Sequence, residues 1–212
     1  MTHTTSELYE EHHNEHREKG FSILKDERGA LFRERLGTGK RILDLGCRDG
    51  ALTRYFVEGN QVLGVDVDAA ALARAQSEIG IETRMLDAHG DWHELQGERF
   101  DAIVAGEVLE HLFYPRTVVR HIAEHLLPSG IFVGSVPNAF NLKNRLRYLA
   151  GQKKHTPLED PTHINQFSVP EIRALLSESF MEVEIIGLGR HARLAQALPE
   201  YCAFDIAFVA RV

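Results

Sequence analysis

One stretch constrains the fold more than any other. It is RILDLGCRDG at residues 41–50, followed by ALTRYF. Its apolar run predicts a buried strand that ends in an acid and a glycine turn, and the helical pattern that follows predicts a helix ending at Gly59-Asn60. Such a loop lets a ligand approach the backbone and directs helix N-terminal amides towards an anionic group. A loop of this kind also fits nucleotide binders, so the segments that follow it decide its ligand.

Strand and helix patterns alternate from the glycine loop onward. Further strands are predicted at QVLGVDV, IETRML, RFDAIVAG and IFVGSV, with helical patterns between them. The segments MEVEIIGLG and FDIAFVARV are two late strands without a clear helix between them, which indicates an antiparallel final pairing. We therefore predict an α/β fold, a doubly wound, Rossmann-like and mostly parallel sheet with helices on both faces.

The negative net charge of the chain argues against nucleic acid as its partner. The chain has 212 residues and a formal net charge of −7, which argues against a protein that grips nucleic acid through a broad basic face. Cys47 and Cys202 offer neither a disulfide framework nor zinc-ligand spacing. No apolar run reaches the length of a membrane span or forms the core of a signal peptide. We therefore expect a cytoplasmic protein.

The length suits one well-buried domain, so we predict a single domain over 1–212. The charged, helical pattern before the first strand predicts an edge element or a lid over the ligand. Its His12, His13 and His16 can bind a metal, although solvated or lid-lining histidines are commoner. We divide the domain into an N-terminal helical segment or lid, a cofactor-binding half and a substrate-side half, at 1–37, 38–136 and 137–212.

In a doubly wound sheet, ligands bind beyond the carboxyl ends of the strands, beside the first strand. Four predicted strand ends are therefore expected to meet at one crevice. They are the glycine loop after Asp44, Asp66, Asp87-Ala88 and residues 105–111. Asp66 can accept hydrogen bonds from both hydroxyls of a ribose, whereas Asp68 is the better helix cap. Asp87 can accept from an adenine amino group, or it can be a plain turn residue.

Six segments, taken in order, resemble the class I S-adenosylmethionine-dependent methyltransferases. They are ILDLGCRDG, GVDVD, DAHG, FDAIVAGEVLEHL, LLPSGIFVGSVPN and THINQFS, within residues 38–190. The resemblance implies a seven-stranded sheet whose last strand is antiparallel, with S-adenosyl-L-methionine as the cofactor. It also implies that Asp66 holds the ribose of this cofactor. The residues that it assigns to the methionine end are Asp44, Gly46 and Gly50, and those that it assigns to the adenine are Asp87 and Ala88.

Arg48 is a departure from the family pattern within the loop. The pattern usually has a third glycine at this position. A side chain there must point away from the cofactor or lie along its carboxylate as a cation. We include Arg48 in the predicted cofactor site, together with Cys47, Val67 and Ala105.

A second cluster lies in the segment EVLEHL. Glu107, Glu110 and His111 fall on one face if this segment is helical, because positions i, i+3 and i+4 are neighbours on a helix. Two carboxylates that close are costly without a cation between them. With His163 of THINQ, they would offer a divalent metal a mixed set of oxygen and nitrogen ligands. We therefore predict catalytic roles for Glu107, His111 and His163, and a metal site at these three residues and Glu110.

This arrangement is similar to that of two metal-dependent groups of O-methyltransferases, the ubiquinone-biosynthesis enzymes and the small-RNA 2′-O-methyltransferases. The segments EVLEHL and THxxxF also occur in relatives with no established metal, where His111 would be a general base or a packing residue. These three interpretations of His111 stay open at this point. The small-RNA function needs more positive charge than the chain carries.

A basic cluster falls between the fifth strand and the next helix, where this family places substrate-binding insertions. Its members are Lys143, Arg145, Arg147, Lys153 and Lys154. The cluster can neutralise a phosphate or carboxylate of the acceptor, touch an anionic membrane surface through 143–154, or be a solvated loop. We expect segment 139–165 to be the least regular part of the chain.

These observations favour a small-molecule O-methyltransferase whose acceptor is a phenol, a sugar or a lipid-linked glycan precursor. His111 would deprotonate the acceptor hydroxyl, or a bound metal would lower its pKa. The alternative is a catalytically silent S-adenosylmethionine-binding or regulatory module. The observation that favours it is Arg48, which stands where the family pattern usually has glycine. Methyl transfer to nitrogen or carbon also stays open, because the acceptor atom leaves no mark in the cofactor motifs.

Overall fold

The computed structural model describes residues 24–212. In chain order its strands are β1 (Arg41–Leu45), β2 (Gln61–Asp66), β3 (Glu82–Met85), β4 (Phe100–Gly106), β5 (Leu126–Pro137), β6 (Glu182–Leu188) and β7 (Asp205–Arg211). They form one mixed sheet in the order β3-β2-β1-β4-β5-β7-β6. The predicted seven-stranded, Rossmann-like sheet with an antiparallel last strand is confirmed.

The described residues divide into two compact units, with the boundary between Gln96 and Gly97. The first unit contains β1, β2 and β3, which pair in parallel, and the helices α1 (Lys25–Leu36) and α2 (Ala69–Ile79). The predicted division into segments 1–37, 38–136 and 137–212 stays a prediction. The group His12, His13 and His16 and most of the predicted lid lie outside the described residues.

The helix predicted directly after the glycine loop is wrong, because only a 3₁₀ turn, Thr53–Tyr55, is present there. Two tertiary contacts hold this turn. The Thr53 hydroxyl donates a 2.6 Å hydrogen bond to the buried Asp44 carboxylate. Tyr55 lies against α1 at Gly29, where a Cβ would come within 2.3 Å of the Tyr55 ring. These contacts fix a short, tight connection instead of a regular helix.

The second unit contains the other four strands and five helices. In it, β4 and β5 are parallel, whereas β7 is antiparallel to both β5 and β6. Its helices are α3 (Pro115–His125), α4 (Leu142–Leu149), α5 (Val169–Ser177), α6 (Ala192–Ala197) and α7 (Pro199–Cys202). No helix within residues 24–212 is long and apolar enough to cross a bilayer.

The core of the second unit is built around Phe132 of β5. Its ring centroid lies 5.1 Å from that of Phe208 on β7 and 5.8 Å from that of Phe180. Gly134 makes room for this packing, because a Cβ there would come within 2.4 Å of the Phe208 ring. The absence of a side chain at Gly134 therefore lets the Phe208 ring of the antiparallel strand β7 pack closely against β5.

Three helices of the second unit were not predicted. Segment 139–165 contains α4, whose N-cap Asn141 accepts a 3.0 Å hydrogen bond from the backbone N–H of Asn144. The connection between β6 and β7, expected to lack a helix, contains α6 and α7. These helices have only four to eight residues, and helices of that length are marginal on their own, so tertiary contacts decide their formation.

Candidate functional site

The glycine loop follows β1 in the first unit. Gly46 and Gly50 have φ angles of 73° and 75°, a region that glycine enters without steric cost. Gly50 also has a packing reason, because a Cβ there would come within 2.4 Å of the Ile79 side chain on α2. The loop therefore packs closely against α2 at Gly50, and its backbone extends beyond the end of β1.

Arg48 occupies the loop position at which the family pattern usually has glycine. Its φ angle is 48°, and a left-handed conformation costs a non-glycine residue roughly 1–2 kcal/mol. The Arg48 backbone N–H donates a 3.0 Å hydrogen bond to Oδ2 of Asp66. Arg48 thus adopts the left-handed conformation that a glycine would adopt at this position, and its hydrogen bond to Asp66 at the end of β2 stabilises this conformation.

Asp66 ends β2, and backbone groups fix its carboxylate. Besides the bond from Arg48, its Oδ1 accepts a 3.0 Å hydrogen bond from the Asp68 N–H. Burial raises the pKa of Asp66, and these backbone hydrogen bonds oppose the rise. A carboxylate has about four lone-pair positions, so it can still accept from a ribose diol. Asp68 caps α2 by accepting from the Ala71 N–H at 2.9 Å, as predicted.

Asp44 is a buried carboxyl at the end of β1, with 3% of its surface exposed. Burial raises its pKa to about 7, the charge of Asp66 adds to the rise, and the hydrogen bond from Thr53 opposes it. A buried carboxylate is strongly stabilised by a cation, and the ammonium group of a methionine moiety is such a cation. Asp44 is therefore suited to the methionine end of the predicted cofactor.

Cys47 is the buried neighbour of these acids. Burial raises the pKa of its thiol, and the charges of Asp44 and Asp66 add to that effect. Its Sγ fills the space beside Gly64 of β2, where a Cβ would come within 2.7 Å of the sulfur. Cys47 therefore packs the loop against β2 as a neutral thiol.

The turn after β3 carries the predicted adenine contacts. The exposed Asp87 carboxylate accepts a 2.9 Å hydrogen bond from the His89 N–H, and the Ala88 carbonyl accepts one from the Trp92 indole at 3.1 Å. Trp92 is buried, so it anchors the turn. Val67 is half-buried beside Asp66, and Ala105 is fully buried in β4 of the second unit. The cofactor roles of these residues stay predictions.

In the second unit, Glu110, His111 and His163 form a compact group. One ligand atom from each lies within 4.8 Å of the others, and this is the single group of that kind found among residues 24–212. Their side chains are 2%, 12% and 9% exposed. The turn that carries the first two is a 3₁₀ helix, Leu109–His111, so the α-helical face predicted from their spacing is wrong although the residues do come together.

Backbone carbonyls determine the tautomer of both neutral imidazoles. His111 Nδ1 lies 2.9 Å from the Thr162 carbonyl oxygen, and His163 Nδ1 lies 3.2 Å from the Pro157 carbonyl oxygen. A carbonyl only accepts hydrogen bonds, so each Nδ1 carries a proton and the neutral ring has its lone pair on Nε2. His111 Nε2 is 3.8 Å from Glu110 Oε1. The rings meet edge to face with centroids 4.9 Å apart.

Glu107 is placed differently from the other predicted residues. It follows β4 directly with a φ angle of 60°, a conformation that non-glycine residues adopt mainly at special sites. Its Oε1 accepts a 3.1 Å hydrogen bond from the Ser135 hydroxyl of β5. Glu107 is not one of the three residues whose ligand atoms lie within 4.8 Å of one another in the described chain. Its catalytic and metal roles stay predictions.

Asn165 is a residue of this site that the sequence did not reveal. Its backbone N–H donates a 2.8 Å hydrogen bond to the Glu110 carbonyl, and its side-chain amide donates to the Leu112 carbonyl. These bonds tie the segment carrying His163 to the turn carrying His111. Nothing in the sequence distinguishes this asparagine from a surface residue, because the partners are backbone atoms about fifty positions away.

A family model for a methyltransferase domain matches residues 14–179, which is most of the chain. The chain belongs to the class I S-adenosylmethionine-dependent methyltransferases. S-adenosyl-L-methionine is the cofactor of this methyltransferase family. The match does not extend to an acceptor or to a metal.

Two related methyltransferases show how far the similarity reaches. The chain is 36% identical over 104 residues to a ubiquinone biosynthesis O-methyltransferase of Pseudomonas savastanoi pv. phaseolicola, covering 46% of this chain and 44% of that protein. It is 29% identical over 162 residues to a probable S-adenosylmethionine-dependent methyltransferase of Mycolicibacterium smegmatis, covering 74% and 58%. The chain thus spans about half the length of the curated relatives it matches.

A solved methyltransferase structure has the same fold. The S-adenosylmethionine-dependent methyltransferase of Archaeoglobus fulgidus matches with a TM-score of 0.70 and 17% identity, over 96% of this chain and 99% of that one. At this identity the similarity establishes the Rossmann-like methyltransferase architecture and not the acceptor.

Proposed function

We propose that this chain transfers the methyl group of S-adenosyl-L-methionine to a hydroxyl of a small-molecule acceptor. The observation that carries the proposal is the buried group of Glu110, His111 and His163. In both histidines Nδ1 donates a hydrogen bond to a backbone carbonyl, which leaves Nε2 as the basic nitrogen of the neutral ring. A neutral imidazole with its lone pair on Nε2 can accept the proton of a hydroxyl. The similarity to ubiquinone biosynthesis O-methyltransferases also favours an oxygen acceptor.

The residues of the first unit have the chemistry to hold the donor. The Asp44 carboxylate is proposed to bind the ammonium group, Asp66 to accept from the ribose hydroxyls, and Asp87 to accept from the adenine amino group. When bound, S-adenosyl-L-methionine supplies an activated methyl group on a sulfonium. Gly46 and Gly50 adopt the left-handed backbone conformations of the loop, which glycine enters without steric cost.

His111 has the central role in the proposed mechanism. Its Nε2 accepts the proton of the acceptor hydroxyl, and Glu110, at 3.8 Å from that nitrogen, stabilises the positive charge that the ring gains. The Thr162 carbonyl keeps the ring in the required tautomer. Holding two reactants in line supplies a further share of the acceleration, of the order of 7–11 kcal/mol.

The same group fits a divalent metal. One carboxylate oxygen and two imidazole nitrogens form a mixed donor set, and backbone carbonyls on the far nitrogens of both rings are the outer contacts that metal-binding histidines usually have. Glu110, His111 and His163 would hold the ion, with Glu107 as a fourth proposed ligand. The ion would lower the pKa of the acceptor hydroxyl.

The test of the mechanism is His111→Ala, assayed by transfer of labelled methyl from S-adenosyl-L-methionine to a panel of phenols and sugars. We expect turnover to fall by about 10²–10⁴-fold, with unchanged cofactor affinity in calorimetry. His125→Ala is the control, because its ring is bonded to the His121 carbonyl and lies outside the group. Full turnover of the His111 variant would show that this residue is not the base.

A chelator separates the two versions of the mechanism. Turnover that disappears in EDTA and returns with added Mg²⁺ or Mn²⁺ supports the metal, whereas full turnover in excess EDTA leaves His111 as the base alone. A chain that binds no S-adenosyl-L-methionine at millimolar concentration would contradict the donor assignment. Binding without turnover on any acceptor class would favour the silent, regulatory module.

A further inference from the structure

An open groove of about 600 Å³ lies in the second unit, and its lining does not include Glu110, His111 or His163. Leucines of α4 and α6 and a tyrosine of α7 line it. Leu142, Leu146, Leu194 and Tyr201 are 52%, 59%, 54% and 43% exposed, and Leu149 at the end of α4 reaches 85%. Exposed apolar residues grouped in this way are typical of an interaction surface.

Basic side chains flank these leucines. Residues 142–155 and 190–198 contain seven lysines and arginines and no aspartate or glutamate. They are Lys143, Arg145, Arg147, Lys153, Lys154, Arg190 and Arg193. The chain as a whole carries a formal net charge of −7, so positive charge is concentrated on the two segments that present the leucines.

Charged and buried contacts tie α7 to α4 and to the end of β5. Arg145 of α4 forms a 2.7 Å ion pair with Glu200 of α7 and stacks over the Tyr201 ring at 5.0 Å. The buried Asn138 side chain donates to the carbonyls of Pro199 and Glu200 at 3.0 and 3.2 Å. Glu200 is thus paired with Arg145. The surface formed by residues 142–155 and 190–202 is here called the docking face.

We propose that the docking face binds the surface of an anionic lipid bilayer. A helix with leucines on one face and lysines and arginines beside them can lie in the interface, with the leucines at the acyl boundary and the cations among phosphates. The charge is complementary to that of acidic lipids. This inference goes beyond the proposed reaction and does not depend on it.

Other occupants fit the docking face less well. A second copy of the chain, related by a two-fold axis, would bring two sets of like charges together. Single-stranded nucleic acid is bound by aromatic side chains on which bases stack, whereas the apolar residues here are mostly leucines. An acidic protein partner has a suitable charge, and the experiment below distinguishes it from a bilayer.

The test is co-sedimentation of the full chain with vesicles, once with mixed phosphatidylglycerol and phosphatidylcholine and once with phosphatidylcholine alone. We expect binding to the anionic vesicles and at least tenfold weaker binding to the neutral ones, because each cation near an anionic surface contributes about fivefold. High salt should weaken the binding, since surface charges are screened.

Leu149→Glu is expected to weaken vesicle binding about tenfold, because it replaces an inserted apolar side chain by a charge. Met181→Glu is the matched control. Met181 is 86% exposed in the same unit but lies outside the docking face, so its variant should bind like the wild type. The Lys153→Ala, Lys154→Ala double variant should lose affinity on anionic vesicles only.

The proposal is overturned if the chain binds neutral and anionic vesicles equally, or if the Leu149 and Met181 variants bind alike. Saturable binding of a single detergent or fatty acid without vesicle binding would overturn it too, and so would Leu149-dependent capture of an acidic protein without vesicle binding. Failure of the vesicle experiment leaves the proposed methyl transfer intact, because sedimentation does not depend on turnover.

Discussion

Asp44 is a buried carboxyl whose negative charge destabilises the cofactor-free folded protein. Its folded pKa is raised from 3.8 to about 7, so the folded state holds a proton that the unfolded state has already lost. The favourable contribution is present below about pH 4 and is lost as the pH rises towards 7. Above pH 7 the buried charge destabilises the cofactor-free protein.

Asp44→Asn should therefore raise the free energy of unfolding at pH 8 by up to about 4 kcal/mol, at 1.36 kcal/mol per pKa unit. The difference should shrink as the pH falls from 7 to 4, because the wild-type carboxyl then becomes neutral as well. Urea denaturation across this pH range measures it. Cofactor affinity should fall at least tenfold in calorimetry, since the amide cannot neutralise the ammonium group.

Thr53→Val provides a second measurement of the same effect. The Thr53 hydroxyl opposes the rise in the Asp44 pKa, so removing it should raise this pKa further and extend the loss of stability to higher pH. A stability difference for Asp44→Asn that is the same at pH 4 and pH 8 would contradict the account given for this carboxyl.

At single positions, the sequence predicted the placement of acidic side chains better than the conformation of the backbone. The acid at the end of β2 and the cap at Asp68 could be read from the pattern, because each follows a strand by a fixed distance. The left-handed backbone of Arg48 and Glu107 could not. Their backbone N–H groups donate to Asp66 and to the Ser135 carbonyl, which belong to other strands.

Among elements, the connection between β5 and α4 is the one whose disturbance should be easiest to measure. Asn138→Ala removes the side-chain NH2 group, whose two N–H donors are shared among the carbonyls of Pro199, Glu200 and Ala203. We expect a loss of about 2–3 kcal/mol in the free energy of unfolding, because buried acceptors lose their donor. Amide exchange at 199–203 should accelerate more than exchange in β4.

Gln152→Ala is the control for this variant, because Gln152 is an exposed amide in the same unit. It should change the free energy of unfolding by less than about 0.5 kcal/mol. If Asn138→Ala were equally harmless, the hydrogen bonds of Asn138 would not be what holds α7 in place.

Elements with their own local signal were predictable. The predicted capping box of α5 is present, with Ser168 and Glu171 bonded reciprocally. By contrast, EVLEHL has a helical spacing but forms a 3₁₀ turn, because Glu107 leaves β4 in a left-handed conformation. Likewise α4, α6 and α7 are helices of only four to eight residues. The leucines of α4 recur at helical spacing but remain exposed, so packing against the core does not account for this helix.

For the whole molecule, the demethylated product of the cofactor should act as a stabilising ligand. S-adenosyl-L-homocysteine at about 100 times its dissociation constant adds about 2.7 kcal/mol to the free energy of unfolding. For a chain of 212 residues, this corresponds to a rise in Tm of about 5–10 °C. Differential scanning fluorimetry measures it.

ATP is the control ligand, because it shares the adenine and ribose but has no methionine moiety. It should raise Tm much less than S-adenosyl-L-homocysteine does. Equal shifts would indicate a general nucleotide site, and no shift with either ligand would contradict the cofactor assignment.

The architecture of the whole molecule was the most predictable feature. Alternating strand and helix patterns admit few arrangements of a sheet, since crossovers between parallel strands are right-handed and sequential elements lie close together. The placement of the helical connections was less predictable, because contacts such as that of Gly29 with Tyr55 join segments far apart in the chain.

The two cysteines give the protein a built-in labelling site. Cys47 is buried and its thiol has a raised pKa, so it reacts slowly with maleimides. Cys202 is exposed and borders the groove. A fluorophore attached to the unmodified chain will therefore attach mainly at Cys202, where its emission reports the polarity around α7 without any engineered residue.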